Sequence, residues 1–245
     1  MNVTLFIPCF VDQLYPDTAF NTIKLLEKAG CSVQYNPKQT CCGQPAYNAG
    51  FWEDAKEVGA KFLNDFKESG YVVAPSSSCV GMVKSGFNDL FTNTMDHNTC
   101  RTLQGNIFEL SEFLIHIAKR DYFGAELEGK AVYHDACSAL RECKIKDEPR
   151  QLLSKVHGLE MLEMADTDTC CGFGGTFAVK FDAISSAMAE QKINNALDQK
   201  ADYIISADIS CLMHLQSYID KNHIQIKTMH IADVLTNGWL ESTEY

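Results

Sequence analysis

Eight of the eleven cysteines in this 245-residue chain obey one spacing rule, used twice. Each copy has a lone cysteine, then a Cys-Cys-Gly triplet, then another lone cysteine. The first copy is Cys9, Cys41-Cys42-Gly43 and Cys79; the second is Cys137, Cys170-Cys171-Gly172 and Cys211. The gap before the pair is 31 residues in one copy and 32 in the other, and the gap after it is 36 and 39. A rule kept this closely across triplets 129 residues apart requires two similar folding units, each gathering four cysteines. Cys31, Cys100 and Cys143 have no counterpart in the other copy and read as ordinary buried thiols.

The residues around the cysteines repeat as well. Val3-Thr4-Leu5-Phe6-Ile7-Pro8-Cys9 reads as a short buried strand running into a cysteine, and so does Lys130-Ala131-Val132-Tyr133-His134-Asp135-Ala136-Cys137. Second strands are expected at 31–35 and 159–164, ahead of the triplets. Third strands at 71–74 and 202–205 lead into Cys79 and Cys211, and fourth strands are expected at 106–110 and 227–231. After each triplet the spacing predicts a helix, with Phe51, Ala55, Val58, Phe62 and Phe66 on one stripe, and Ala189, Ile193, Ala196 and Leu197 on the other. Ser111 is placed to cap the helix after the fourth strand. His230 matches Glu109 by repeat position, at the end of a strand.

Strands alternating with helices imply parallel βαβ units. The expected fold is α/β, with two pseudo-symmetric lobes, each carrying a mostly parallel sheet of about four strands. Gly124 and Gly129 bracket a charged, weakly periodic stretch, which divides the lobes at 1–124 and 125–245.

In such a lobe the ligand site lies at the carboxyl ends of the strands. All four cysteines of a copy follow strands, so they converge on one sheet edge. An adjacent pair cannot point both side chains one way in an extended strand, but it can in a turn, and Gly43 and Gly172 supply the backbone freedom. The candidate ligands are therefore Cys9, Cys41, Cys42 and Cys79, with Cys137, Cys170, Cys171 and Cys211. His134, three residues before Cys137, and His214, one helical turn after Cys211, are further candidates for a ligand, hydrogen-bonding or proton-relay role, set against a plain structural one.

Four cysteinates suit either zinc or an iron–sulfur cluster. Structural zinc usually takes close Cys-x2-4-Cys knuckles, and neither copy has one. The long spacings around a Cys-Cys pair favour the bulkier group. The expectation is an iron–sulfur cluster of the [4Fe-4S] type, one or two per chain, with zinc as the alternative.

Composition narrows the setting. Apolar residues make up 46% and charged residues 22%, as in ordinary globular proteins. No apolar run approaches the roughly 18 residues of a membrane span, and the opening residues Met1–Pro8 have no basic lead-in, so no secretory leader or integral membrane anchor is expected. A cytoplasmic setting disfavours structural disulfides and leaves metal binding or catalysis for the cysteines. A net charge of −11 argues against nucleic acid as a partner. Neither a phosphate-binding loop nor a dinucleotide fingerprint occurs, so nicotinamide chemistry is not expected.

Both copies together resemble the cysteine-rich CCG domain, which occurs in heterodisulfide reductases, in the iron–sulfur component of glycolate oxidase and in lactate-utilisation proteins. The resemblance covers nearly the whole chain and is carried by Phe6–Cys9, Gln39–Pro45, Cys170–Gly175 and Ser210–His214, most like the lactate-utilisation type. It implies the iron–sulfur electron-transfer subunit of an L-lactate oxidation complex, working with cluster-bearing partner subunits and meeting a 2-hydroxy acid only indirectly. The heterodisulfide reductase pattern ends each copy with Cys-x-x-Cys; here the last positions are Met82 and His214. Four thiolates per copy remain, enough for an ordinary cluster, while disulfide-cleaving chemistry loses its fifth ligand. No side chain is assigned as a general acid or base. A thiol or heterodisulfide reductase subunit and a zinc-stabilised interaction protein are the competing readings.

Overall fold

The structure, a computed structural model, describes residues 1–239. Residues 240–245, the end of the second expected lobe, lie outside the described residues. Among the described residues, eight strands form two parallel sheets of four. The first holds β1 (Asn2–Leu5), β2 (Ser32–Tyr35), β3 (Tyr71–Ala74) and β4 (Ile107–Glu109), ordered β2-β1-β3-β4. The second holds β5 (Glu126–Tyr133), β6 (His157–Leu162), β7 (Tyr203–Ser206) and β8 (Lys227–His230), ordered β6-β5-β7-β8. The two lobes therefore share one topology.

That order places the site. The chain runs from the first strand to one side, then returns and continues on the other, so the order reverses between first and third strands. At such a reversal the loops leaving the two strands part and open a crevice at their carboxyl ends. β1 and β3 lead to Cys9 and Cys79; β5 and β7 lead to Cys137 and Cys211. The register is matched as well: Phe6 N–H donates to Val73 O at 2.9 Å, and His134 N–H to Ile205 O at 2.8 Å. Phe6 and His134 thus hold equivalent places.

Each sheet is covered on both faces, as parallel sheets require. Trp52–Phe66 buries Ala55, Gly59, Phe62, Leu63 and Phe66; Asp182–Asp198 buries Ser185, Ala189, Lys192, Ile193 and Ala196. These faces correspond residue for residue and correct the expected stripes. Phe51 precedes the first helical turn and is 63% exposed, while Leu197 lies one position off the buried row and is also exposed. Val58 is half-buried. The helix after β4 is capped by Glu109, not Ser111: the Glu109 carboxylate accepts Ser111 N–H at 2.7 Å. In the second lobe His230 fills the same place, its Nδ1 accepting Ala232 N–H at 3.1 Å.

The lobes are joined through a continuous interior. Both main clusters of buried apolar side chains draw on both lobes, one centred on Phe6, Phe62, Phe87, Ile193 and Ile204, the other on Leu5, Phe113, Tyr133 and Ile231. Burying each such side chain contributes about 1.5–3 kcal/mol. Polar contacts fix the pairing: Asp233 accepts Thr18 Oγ1 at 2.8 Å and Asn21 Nδ2 at 2.9 Å. Among the described residues no helix is long and apolar enough to cross a membrane.

Candidate metal centre

All eight repeated cysteines line a single cavity of about 450 Å³ between the lobes. Within it they form two sets. In the first lobe Cys9, Cys41, Cys42 and Cys79 are hydrogen-bonding neighbours in that order. In the second, Cys137, Cys170, Cys171 and Cys211 repeat the sequence, with Cys171 Sγ and Cys211 Sγ 2.9 Å apart. All eleven cysteines carry free thiols. Cys9 is exposed at the rim, Cys41, Cys137 and Cys170 are half-buried, and Cys42, Cys79, Cys171 and Cys211 are buried.

Local chemistry explains how three loops deliver four thiols. Gly43 and Gly172 have φ of +86° and +96°, conformations that favour glycine, and they turn the chain so that both cysteines of the pair face inward. A Cβ on Gly43 would lie 3.0 Å from Ala55 O, and one on Gly172 would lie 2.5 Å from Ser185 O. The same glycines donate N–H to Cys41 Sγ and Cys170 Sγ, each at 3.4 Å. After the third strands, Ser76 caps the helical turn Ser77–Gly81 through Cys79 N–H, and Asp208 caps Ile209–Lys221 through Ser210 N–H. Gln44 Nε2 donates to Ser78 O at 3.1 Å, tying the triplet loop to the Cys79 turn.

Electrostatics differ among the thiols. Cys41 is held well below the usual thiol range, first because Cys42 donates to it and then because Cys9 does. Cys9 is pushed up by the bond it gives to Cys41 and by burial, and Cys137 likewise through Cys170. One thiolate supported by neighbouring S–H and N–H groups is the form in which a soft metal is captured.

The further candidates fall in different places. His134 is fully buried behind the second set, both ring nitrogens lack a hydrogen-bond partner, and one of them lies within 4.8 Å of Cys171 Sγ and Cys211 Sγ. Burial and then the charge of Lys192 push it down to about 3, so the ring is neutral. His214 does not line the cavity; its Nε2 lies 3.1 Å from Ser185 Oγ, against the triplet glycine. Met82 is also outside the lining, folded back against Gly86 in the π-helical turn Met82–Gly86. Cys31, Cys100 and Cys143 are buried away from the cavity, and Cys143 Sγ donates to Ser77 O at 3.6 Å.

Two residues escaped the reading of the sequence. Asp208 accepts from both lobes: Ser78 N–H at 2.7 Å, Ser77 Oγ at 3.1 Å and Ser210 N–H at 3.3 Å. Lys192 is buried, with Nζ donating to Asp166 O and to Thr167 O at 3.2 Å, just ahead of Cys170. The available signal was a lysine on an otherwise apolar helix face.

The cysteine pattern and the paired topology meet in a family model described as a cysteine-rich domain, CCG, which matches twice, at residues 3–84 and 131–216. The chain belongs to the CCG cysteine-rich domain family. It is 40% identical to Lactate utilization protein A of Geobacillus kaustophilus over 236 residues, 96% of this chain and 98% of that protein. It is 36% identical to Lactate utilization protein A 2 of Bacillus cereus over 239 residues, 97% of this chain and 99% of that protein. A hypothetical protein from Helicobacter pylori has a similar fold, with a TM-score of 0.68 at 13% identity, across 96% of this chain and 48% of that one.

The donor set fits a group with four thiolate ligands. Each lobe offers four sulfurs in a mostly apolar pocket, N–H groups aimed at one of them, and, in the second lobe, a buried imidazole without a partner.

Proposed function

We propose that this CCG-family chain is the iron–sulfur, electron-transferring component of a lactate-utilisation system, acting in the cytoplasm with partner subunits that carry the carbon chemistry. The observation that carries this reading is the shared cavity: eight cysteines in two like sets, with Asp208 the one carboxylate and no lysine or arginine among the described lining residues. A carboxylate substrate held here would lack a cation to pair with. Two thiolate sets facing a common space suit the passage of electrons better than the seating of a 2-hydroxy acid.

Cys9, Cys41, Cys42 and Cys79 would hold one cluster, and Cys137, Cys170, Cys171 and Cys211 the other. A bound cluster takes up and releases single electrons. The protein's own part is to fix the sulfurs on strand-end loops, to aim Gly43 and Gly172 N–H groups at Cys41 and Cys170, and to bury Cys42, Cys79, Cys171 and Cys211. The relatives named Lactate utilization protein A support the physiological setting. The positions of Met82 and His214, away from the cavity, weigh against a five-ligand disulfide-cleaving centre.

Anaerobic purification with iron, acid-labile sulfide and zinc analysis tests the reading. The expected result is a brown protein with roughly four iron per occupied set. Stoichiometric zinc, with no iron after anaerobic reconstitution, would overturn it.

A further inference from the structure

The two cysteine sets are alike, but what stands beside them is not. In the first lobe Phe6 packs edge-on against Phe62, ring centroids 4.8 Å apart. In the second lobe the equivalent places, just after β5 and on the helix Asp182–Asp198, belong to His134 and Lys192, 0% and 1% exposed. A buried ammonium costs several kcal/mol unless negative charge lies beside it. Among the described residues no carboxylate comes within 4.0 Å of Lys192 Nζ, and its direct contacts are the two carbonyls of Asp166 and Thr167. Burial pushes its pKa down, and the group that does most to restore it is Cys171. Asp166 and Asp168, which act next, are exposed, and Asp135 is already held by Arg150. Lys192 is therefore held against the loop that delivers Cys170 and Cys171, which the same helix meets again where Ser185 Oγ donates to Gly172 O at 2.8 Å.

We infer that the two sets hold clusters of unequal reduction potential, the second lobe's being the higher, because Lys192 stands beside it where Phe62 stands beside the first. This rests on the iron–sulfur reading above. A reduced cluster carries one more negative charge than an oxidised one, and a buried cation stabilises that state. His134 adds an unpartnered ring nitrogen within 4.8 Å of Cys171 Sγ and Cys211 Sγ, placed to donate to sulfur, which acts in the same direction. The exchange is one electron lost by the first lobe's cluster and one gained by the second's, with no bond made and no proton moved. Lys192 is in this sense a tuning residue that touches no substrate.

The test is a dithionite titration of the anaerobic full-length protein followed by EPR. Cys171→Ser and Cys42→Ser assign each signal to its lobe. The component lost in Cys171→Ser should be the first reduced in the wild type. Lys192→Met should move that component to lower potential and leave the other in place; Lys192→Arg should keep it near the wild-type value. The double variant His134→Phe with Lys192→Phe should draw the two components together. If the first component reduced is the one lost in Cys42→Ser, the inference is overturned without recourse to any Lys192 variant. Equal movement of both components in Lys192→Met, or of neither, also overturns it. Clusters present in every variant but insensitive to Lys192 refute the tuning alone; iron absent from the folded wild type refutes the cluster reading with it.

Discussion

Asp208 Oδ2 accepts the backbone N–H of Ser78 at 2.7 Å, so a carboxylate from the second lobe seats the turn that carries Cys79 in the first. Its other contacts, from Ser77 Oγ, Ser210 N–H and Ser210 Oγ, tie that turn to the turn of Cys211 through a single carboxylate.

Removing that carboxylate leaves four donors without that partner. Asp208→Ala should lower stability by about 2–4 kcal/mol, and Asp208→Asn, which keeps one acceptor oxygen, by about half as much. Urea unfolding followed by circular dichroism measures both. A cost below about 1 kcal/mol for the alanine would show that the lobes are held without this bridge.

Arg150 binds Asp135 in a two-pronged pair, at 2.9 and 2.8 Å, and reaches Glu163 as well. Asp135 is almost wholly buried. Arg150→Met should therefore cost about 3–5 kcal/mol, because it strands a buried carboxylate. Adding Asp135→Asn should recover part of that loss, as read from the same unfolding curves; strictly additive costs would mean the two side chains do not act as a pair.

Glu109 gives the stability a pH slope. Its carboxyl is fully buried, and burial pushes it up to about 8 against the pull of Ser111 and Glu112 N–H groups. The folded protein binds this proton more tightly than the unfolded chain does. The contribution is thus complete below the ordinary value of 4.5 and is lost as pH rises through about 8. Each unit of that interval is worth about 1.4 kcal/mol at most. Glu109→Gln should flatten the decline between about pH 5 and about pH 9, measured as denaturation midpoints. An unchanged slope would place its origin elsewhere.

The triplet glycines should not tolerate a methyl group equally. Gly172→Ala places a Cβ 2.5 Å from a backbone oxygen and 3.2 Å from His214 Nε2, whereas Gly43→Ala meets Ala55 O at 3.0 Å. Both also force a left-handed φ on alanine. We expect a loss of about 1 kcal/mol for Gly43→Ala and more than about 2 kcal/mol for Gly172→Ala, with metal uptake falling in the same order. The reverse order would show that the second triplet loop relaxes freely.

Much of this was written in the order of the residues. Buried apolar runs at Val3–Leu5, Tyr71–Ala74 and Tyr203–Ile205 located strands, and cysteines just beyond them located the site. What stayed hidden depended on partners distant in the chain. Lysine on a helix normally marks the solvent face, so its place on the apolar stripe of Ala189, Ile193 and Ala196 was the one local sign that Lys192 is buried, and the loop it binds could not be read from that sign. Ser111 has the chemistry of a cap, but Glu109 is better placed, because its side chain leaves an extended residue and can turn back onto the first free N–H groups. Spacing within one repeat also carries no information about how two repeats face each other. The single cavity therefore emerged only with the packing of the lobes.

The exchange of Phe6 and Phe62 for His134 and Lys192 also bears on how the chain avoids a misfolded state. Two repeats with the same strand order and nearly the same backbone pairing could in principle trade elements, a recognised hazard of tandem repeats. If β1 paired with β7, Phe6 would press an apolar ring onto the ammonium of Lys192; if β5 paired with β3, the imidazole of His134 would enter a cage of Phe62 and Phe66. Each wrong pairing sets a polar group against hydrocarbon, whereas the correct one sets His134 beside two cysteine sulfurs and gives the ammonium of Lys192 two carbonyls. The divergence of one pair of positions thus gives each half of the molecule a way of recognising its own strands.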